Sequence, residues 1–304
     1  MDLILDLLGI TVCLLLLGNA QLYGASILIH HTGHGQGIRP KRLGRWIAEL
    51  TGILLLRQSV SQYMRTHWNH HGKATFARGD TDPDAAFIQR LGFRLGDSVE
   101  ASNRRLWQVL FSPGVHGNMI RKRVLMNFAR KAEPLRTLIA WLVWSFIVFV
   151  VWKNEVLPAF GLLLLFALLF GNISTMLELF SEHLWFIEVS NEQNRQWALS
   201  HARFYGAIPP EQGASFRLWL IWVGETLLAV CEKLLVGAGD LPVHAAHHVG
   251  WDRDDFEGQP AWANPQFAYA PYITKLDGKI YWSTNSAIQA WFDELAKARG
   301  DNPK

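Results

Sequence analysis

Three groups of histidines give this sequence its chemistry. HHTGH at 30–34 supplies His30 and His34, HWNHH at 67–71 supplies His67, His70 and His71, and HAAHH at 244–248 supplies His244, His247 and His248. On an α-helix, positions i, i+3 and i+4 share a face, so each group can aim two or three imidazoles at one point. Neutral imidazole is a good ligand for iron, zinc and copper, and eight such donors exceed what one ion needs. Two ions in one site are therefore expected. Such a site, rich in nitrogen and poor in carboxylate, differs from the soluble di-iron bundles, which use Glu and Glu-x-x-His. His31 is expected to point about 100° away from its neighbour on a helix, and His116 and His201 read as surface residues.

Long apolar segments must position these groups. Residues 3 to 28 are largely apolar with Asp6 as their only charge, enough for one tilted crossing of a bilayer. The stretch is too long for a signal-peptide core and lacks a basic leader, so a retained span is expected. Residues 135 to 152 and 156 to 180 form two further apolar blocks joined by Lys153, Asn154 and Glu155. A connection that short between two long apolar helices predicts a tight transmembrane hairpin. Trp141, Trp144, Trp152 and Trp185 lie toward its ends, where amphipathic rings favour the membrane interface. The segments at about 45–66 and 216–236 carry charges that interrupt a clean span, and they are expected as interfacial helices.

Charge placement orients the chain. Arg39, Lys41, Arg42 and Arg45 follow the first span, and Arg121, Lys122, Arg123, Arg130, Lys131 and Arg136 precede the second. The positive-inside rule puts both basic loops on the cytoplasmic side, and two crossings by the hairpin return residues from 181 onward to the same side. All three histidine groups then share one face of the membrane. The expected fold class is an all-α integral membrane protein: a small transmembrane helix bundle with interfacial helices and a cytoplasmic cap carrying the histidine-rich di-metal site. Nothing in the composition separates a second domain, so residues 1–304 are expected to act as one membrane-embedded domain.

Composition agrees and excludes several classes. Half of the 304 residues are apolar and only 18% are charged, where a soluble domain carries roughly 25%. Two cysteines cannot build a disulfide scaffold, a four-thiolate zinc site or an iron–sulfur cluster. A formal net charge of +3 is too small to imply a nucleic acid partner.

The three groups, HxxxH, HxxHH and HxxHH, make the sequence resemble the membrane fatty-acid desaturase and hydroxylase superfamily. GKATFARGDTDPD at 72–84 also resembles the polar turn ending in an acidic DPD that many desaturases carry after the second box. The resemblance implies two non-haem iron ions held by His30, His34, His67, His70, His71, His244, His247 and His248, with O2 as cosubstrate. A further ligand often lies after the hairpin in a Glu-His context, which Glu182 and His183 match, so His183 joins the set. Two departures stand out. Only 29 residues precede the first box, room for one crossing where a desaturase has a hairpin, and after His248 the chain reads VGWDRDDFEGQPAW without the usual leucine, phenylalanine and proline continuation.

The expected function is an oxygen-dependent di-iron oxidase that attacks an unactivated C–H bond of a fatty-acyl chain, with desaturation as the leading outcome. Hydroxylation, acetylene formation and alkene-forming decarboxylation use the same chemistry and stay open. The acyl group could arrive as free acid, acyl-CoA, acyl carrier protein thioester or lipid. The sequence has no HPGG haem signature and no GxGxxG between a strand and a helix, which implies an external electron donor: a ferredoxin, rubredoxin or cytochrome with its reductase. Outside this chemistry, a haem-binding membrane electron carrier would place its histidines within the spans. A zinc hydrolase would carry HExxH, which is absent, and a non-catalytic scaffold would bind no stoichiometric iron.

Overall fold

The computed structural model describes residues 2–22, 24, 28–35, 38–72, 74–190, 192, 195–203, 210–236, 279–281 and 283–298. Its elements in chain order are α1 (Asp2–Leu22), α2 (His30–Gly33), α3 (Lys41–Leu54), α4 (Val60–His70), α5 (Pro83–Arg90), α6 (Val99–Leu110), α7 (Pro113–Phe128), α8 (Pro134–Lys153), α9 (Leu157–Glu182), α10 (Arg195–Leu199), β1 (His201–Arg203), α11 (Phe216–Val236), β2 (Lys279–Tyr281) and α12 (Thr284–Lys297). The chain divides into two compact units. The first takes Met1–Arg65 and Ser112–Thr175, and the second takes Thr66–Phe111 and Met176–Lys304.

In the first unit, two glycines let helices approach closely. A side chain at Gly18 of α1 would overlap the Phe170 ring of α9, and one at Gly33 of α2 would overlap the Met64 sulfur of α4. Gly33 thus lets the first histidine group lie flat against α4. Ile29, Ala48, Val60 and Met64 form the small core here, with Leu28 and Tyr63 packed on it.

The stretch expected as one interfacial helix at about 45–66 is two helices. The chain breaks between Leu54 and Val60, and Leu56 takes a positive φ of 52°. The backbone groups freed by the break find side-chain partners. Glu49 accepts from the Val60 amide at 3.0 Å, Arg136 and Asn127 donate to the Arg57 carbonyl at 2.9 and 3.2 Å, and the Trp144 indole donates to the Ile53 carbonyl at 2.9 Å. Arg136 also pairs with Glu49 at 2.9 Å. Ser59 and Ser61 both donate to Glu133 at 2.7 Å. A buried backbone group without a partner costs roughly 1–3 kcal/mol, so these polar side chains are what make the corner possible.

The helices α8 and α9 are long and apolar enough to cross a membrane. They match the expected blocks at 135–152 and 156–180 to within a few residues, and the turn between them carries Glu155 at a φ of 59°. Phe146 and Trp152 of α8 are 67% and 62% exposed, so large apolar side chains stand on its outer surface. The segment expected as a first crossing, 3–28, is helical over Asp2–Leu22 and contributes a shorter apolar stretch, Gly9–Gln21. Residues 23 and 25–27 lie outside the described residues.

The second unit has an aromatic core. Phe93 packs on Phe180, Trp291 and Phe292 at ring separations of 5.2, 5.1 and 5.8 Å, and the Trp291 indole donates to the Trp185 carbonyl at 3.0 Å. The cap of α12 is reciprocal between Ser283 and Ser286, and Ser98 caps α6. Buried Arg195 ties the segment after α9 together, donating to the Phe76 and Ile187 carbonyls and pairing with Glu188 and Glu192. The stretch expected as an interfacial helix at 216–236 is α11, whose Phe216, Leu220, Leu227 and Leu228 are exposed.

The all-α expectation is met, with one short extended pairing beside the helices. β1 and β2 pair in parallel, His201 opposite Lys279 and Tyr281 opposite Arg203. Two segments that run extended must exchange backbone hydrogen bonds with each other, because neither has a helix to satisfy them. Among the described residues everything else that is regular is helical.

Two outcomes test this account. Trp291→Ala should lower unfolding stability by about 3–5 kcal/mol, the range for deleting a large core aromatic, as measured by denaturant unfolding in detergent. Glu133 is opposed by desolvation, yet the hydroxyls of Ser61 and Ser59 and the charges of Arg130 and Arg136 outweigh it and hold the carboxyl below its ordinary value. Its contribution is therefore present above the unfolded carboxylate pKa and lost as pH falls through the folded one. Glu133→Gln should flatten the loss of melting temperature between neutral and acidic pH relative to wild type.

Candidate metal centre

In the first unit, His30 is buried at the start of α2 and His34 is half-buried at its end. Their rings stand 4.9 Å apart, edge to face, and the Tyr63 ring lies 5.8 Å from His30. One helical turn thus brings the HxxxH pair together as the spacing requires. His31 does not swing clear of it. Its ring stacks on His30 at 5.3 Å.

In the second unit, the last turn of α4 carries the HxxHH group. His67 and His71, four apart, approach with their Nε2 atoms 2.9 Å apart and ring centroids at 4.3 Å. His70 is buried between them and the body of the unit, 6.4 Å from His67 and 5.8 Å from His71. His183 follows α9 directly and is fully buried. Its backbone pairs with Ser200, and its ring lies 5.1 Å from that of His70. Phe76 and Trp185 sit against both rings, at 5.1 and 5.8 Å from His70 and at 4.7 and 4.9 Å from His183. The fold therefore brings His67, His70, His71 and His183 into one cluster, buried except at half-buried His71. His244, His247 and His248 lie outside the described residues.

A carboxylate orders this cluster. Asp82 Oδ2 stands 2.7 Å from His70 Nδ1 and accepts from the Ala77 amide at 2.7 Å, while Oδ1 accepts from the amides of Asp84 and Ala85 at 2.9 and 3.3 Å. The last two bonds are an N-cap, which starts α5 with Pro83 in its first turn. A carboxylate held by three amides can only accept, so His70 Nδ1 carries the proton and, in the neutral ring, Nε2 keeps the lone pair. That is the arrangement by which a metal-binding histidine is oriented and made more basic. Burial alone would push the His70 pKa down; the hydrogen bond and charge of Asp82, with Asp84 and Glu182 behind it, outweigh burial and raise it. Desolvation pushes half-buried Asp84 up to about 6, with His70 pulling it down and Asp82 adding to the rise.

The donor set fits imidazole-bound metal. Two nitrogens each about 2.1 Å from one ion and at right angles to each other stand about 3.0 Å apart, and the His67–His71 separation of 2.9 Å matches. Ligand atoms of His70, Asp82 and Asp84 also lie within 4.8 Å of one another. Four donors already occupy the two Asp82 oxygens, so Asp82 acts as the holder of His70 rather than as a ligand.

Sequence reading missed three features of this region. His201 and His116 are buried, not at the surface. His201 sits on β1 with its Nδ1 3.2 Å from the Ser181 carbonyl and its ring 4.6 Å from Tyr281. Lone histidines outside a spacing pattern give no signal of burial. Gln196, which donates to the His71 carbonyl at 2.6 Å, is equally silent in sequence.

The two membrane-capable helices suggest membrane association, and the histidine clusters are of a kind that could hold a metal ion. The fatty acid desaturase family matches residues 6–250, and the chain belongs to that family. No curated protein and no solved structure matches it. Membership makes the chain an oxidoreductase of the fatty-acid desaturase or hydroxylase type, with a fatty-acyl substrate and a lipid setting. The family generally uses a di-iron centre.

Asp82→Ala would strip partners from three amides and from His70 at once. It should lower stability by at least about 3 kcal/mol, at roughly 1–3 kcal/mol for each buried group left unsatisfied. Asp80→Ala, on an exposed side chain two residues away, should leave the unfolding curve in place.

Proposed function

We propose that this chain is an oxygen-dependent di-iron membrane oxidase acting on an unactivated C–H bond of a fatty-acyl chain, with desaturation as the outcome. His30, His34, His67, His70, His71, His183, His244, His247 and His248 would hold the two irons. The observation that carries this reading is the cluster of His67, His70, His71 and His183, with His70 locked by Asp82. The whole chain, 1–304, would act as one functional domain. α8 and α9 would cross the bilayer, with the histidines on the cytoplasmic side marked by the basic residues at the start of α3 and those before α8.

When bound, the iron pair supplies the reduction of dioxygen and the oxidising power that no side chain has. The chain itself does three things. Asp82 fixes the tautomer and direction of His70. Phe76 and Trp185 cover the His70 and His183 rings and exclude water. The one-turn spacings pin His30 with His34 and His67 with His71, so the donors need little rearrangement.

Desaturation consumes one O2, two electrons and two protons and yields an alkene and two waters. Hydroxylation yields an alcohol and one water from the same inputs. Both electrons must come from outside, since Cys13 and Cys231 are exposed single thiols; a ferredoxin, rubredoxin or cytochrome with its reductase would deliver them.

Metal analysis of the purified full chain should give about two irons per chain without haem absorbance, and product mass spectrometry should show two hydrogens lost. His70→Ala and His183→Ala should each remove most of the iron and abolish turnover. Full iron and turnover in both variants would defeat the reading, and an added oxygen would redirect it to hydroxylation.

A further inference from the structure

The first unit holds a cavity of about 450 Å³ that the histidine chemistry does not use. It opens between α3 and the first turns of α8, and its lining includes Arg42, Arg45, Trp46, Leu50, Leu135 and Ile139. That volume lies within the range of ligand sites. Its two ends differ in chemistry. Toward the start of α3 stand the exposed guanidinium groups of Arg42 and Arg45, and along the start of α8 the wall is Leu135 and Ile139.

Charge in the cavity is unbalanced. Glu49 is committed to Arg136 at 2.9 Å, and Glu133 to Ser59, Ser61 and Arg130. Among the described residues neither Arg42 nor Arg45 has a carboxylate partner. Beside them, α3 exposes Leu43, Trp46, Leu50 and Leu54, three or four residues apart on one face, and α8 exposes Leu135, Leu138 and Trp141. A helix with an exposed apolar stripe and arginines at its start lies in the headgroup region, apolar side down. Trp46 and Trp141 suit the same depth.

We propose that this cavity binds one anionic phospholipid of the bilayer, its phosphate on Arg42 and Arg45 and the start of an acyl chain along Leu50, Leu135 and Ile139. The inference rests on α8 being a membrane span, as proposed above. Two cations set above an apolar wall match a ligand with one negative head and an oily tail. A zwitterionic head brings its own cation against the arginines and is disfavoured. A soluble anion gains nothing from the apolar wall.

The test uses the full chain reconstituted with equal parts of phosphatidylcholine and phosphatidylglycerol, re-extracted in mild detergent and examined by native mass spectrometry. Wild type should retain one phosphatidylglycerol in preference to phosphatidylcholine. R42Q/R45Q should lower that retention about twenty-five-fold, a factor of about five for each arginine. Leu50→Trp, which narrows the apolar end and leaves the charges, should lower it as well. The charge-matched variant R90Q/R104Q, on exposed arginines of the second unit, should retain lipid as wild type does, and iron content should be unchanged in all three.

Four results would overturn the proposal: equal retention of both lipids, undiminished retention in R42Q/R45Q, an equal loss in R90Q/R104Q, or displacement by excess inorganic phosphate or by palmitate. Release of the chain from membranes by alkaline carbonate would overturn the membrane reading itself, and that separate readout distinguishes the two failures.

Discussion

The buried hydrogen bond between Asp82 and His70 is the constraint on which the second unit's chemistry depends. An ionised carboxylate inside a protein is tolerated only when its acceptor positions are filled. Here the Ala77, Asp84 and Ala85 amides fill three of them, and His70 takes the fourth. One side chain therefore closes the polar turn after α4, starts α5 and sets the tautomer of the most buried histidine in the second group. Because the three tasks share one atom pair, the turn cannot shift without moving His70. Rigidity of this kind is what a metal site requires of its surroundings.

The first unit solves a different problem. Its corner between α3 and α4 must leave backbone groups outside any helix, close to a helix that is apolar along its length. Water cannot be relied on there, so Glu49, Asn127, Arg136 and Trp144 bring the missing donors and acceptors on side chains. Several of these residues sit near the N-terminal end of α8, where a chain entering a bilayer still carries polar groups. The same crowding leaves Arg42 and Arg45 of the cavity lining without a carboxylate partner among the described residues, and so shapes the cavity beside them.

Much of the site was legible in the sequence because it depends on spacing. One turn of helix separates His30 from His34 and His67 from His71, and no tertiary information is needed to see that their rings meet. The hairpin of α8 and α9 was legible for a similar reason, since two apolar runs and a three-residue gap admit few alternatives. The break at Leu55–Ser59 was not, because RQS carries neither glycine nor proline and the turn is held largely by Asn127, Arg136 and Trp144, 70 or more positions away. The burial of His116 and His201 and the pairing of β1 with β2 are also products of distant contacts, which leave no local pattern.

Nitrogen-rich ligation and the position of Asp82 belong to one argument. A carboxylate bound directly to an ion lends it a full negative charge and lowers its potential. A carboxylate one imidazole away strengthens the ligand but leaves the donor atom neutral. The second unit has acidic groups within reach, Asp82, Asp84 and Glu182, and the one nearest His70 spends both oxygens on amides and on a histidine proton. The turn that follows α4 thus withdraws Asp82 from direct ligation, although other acidic groups lie close by.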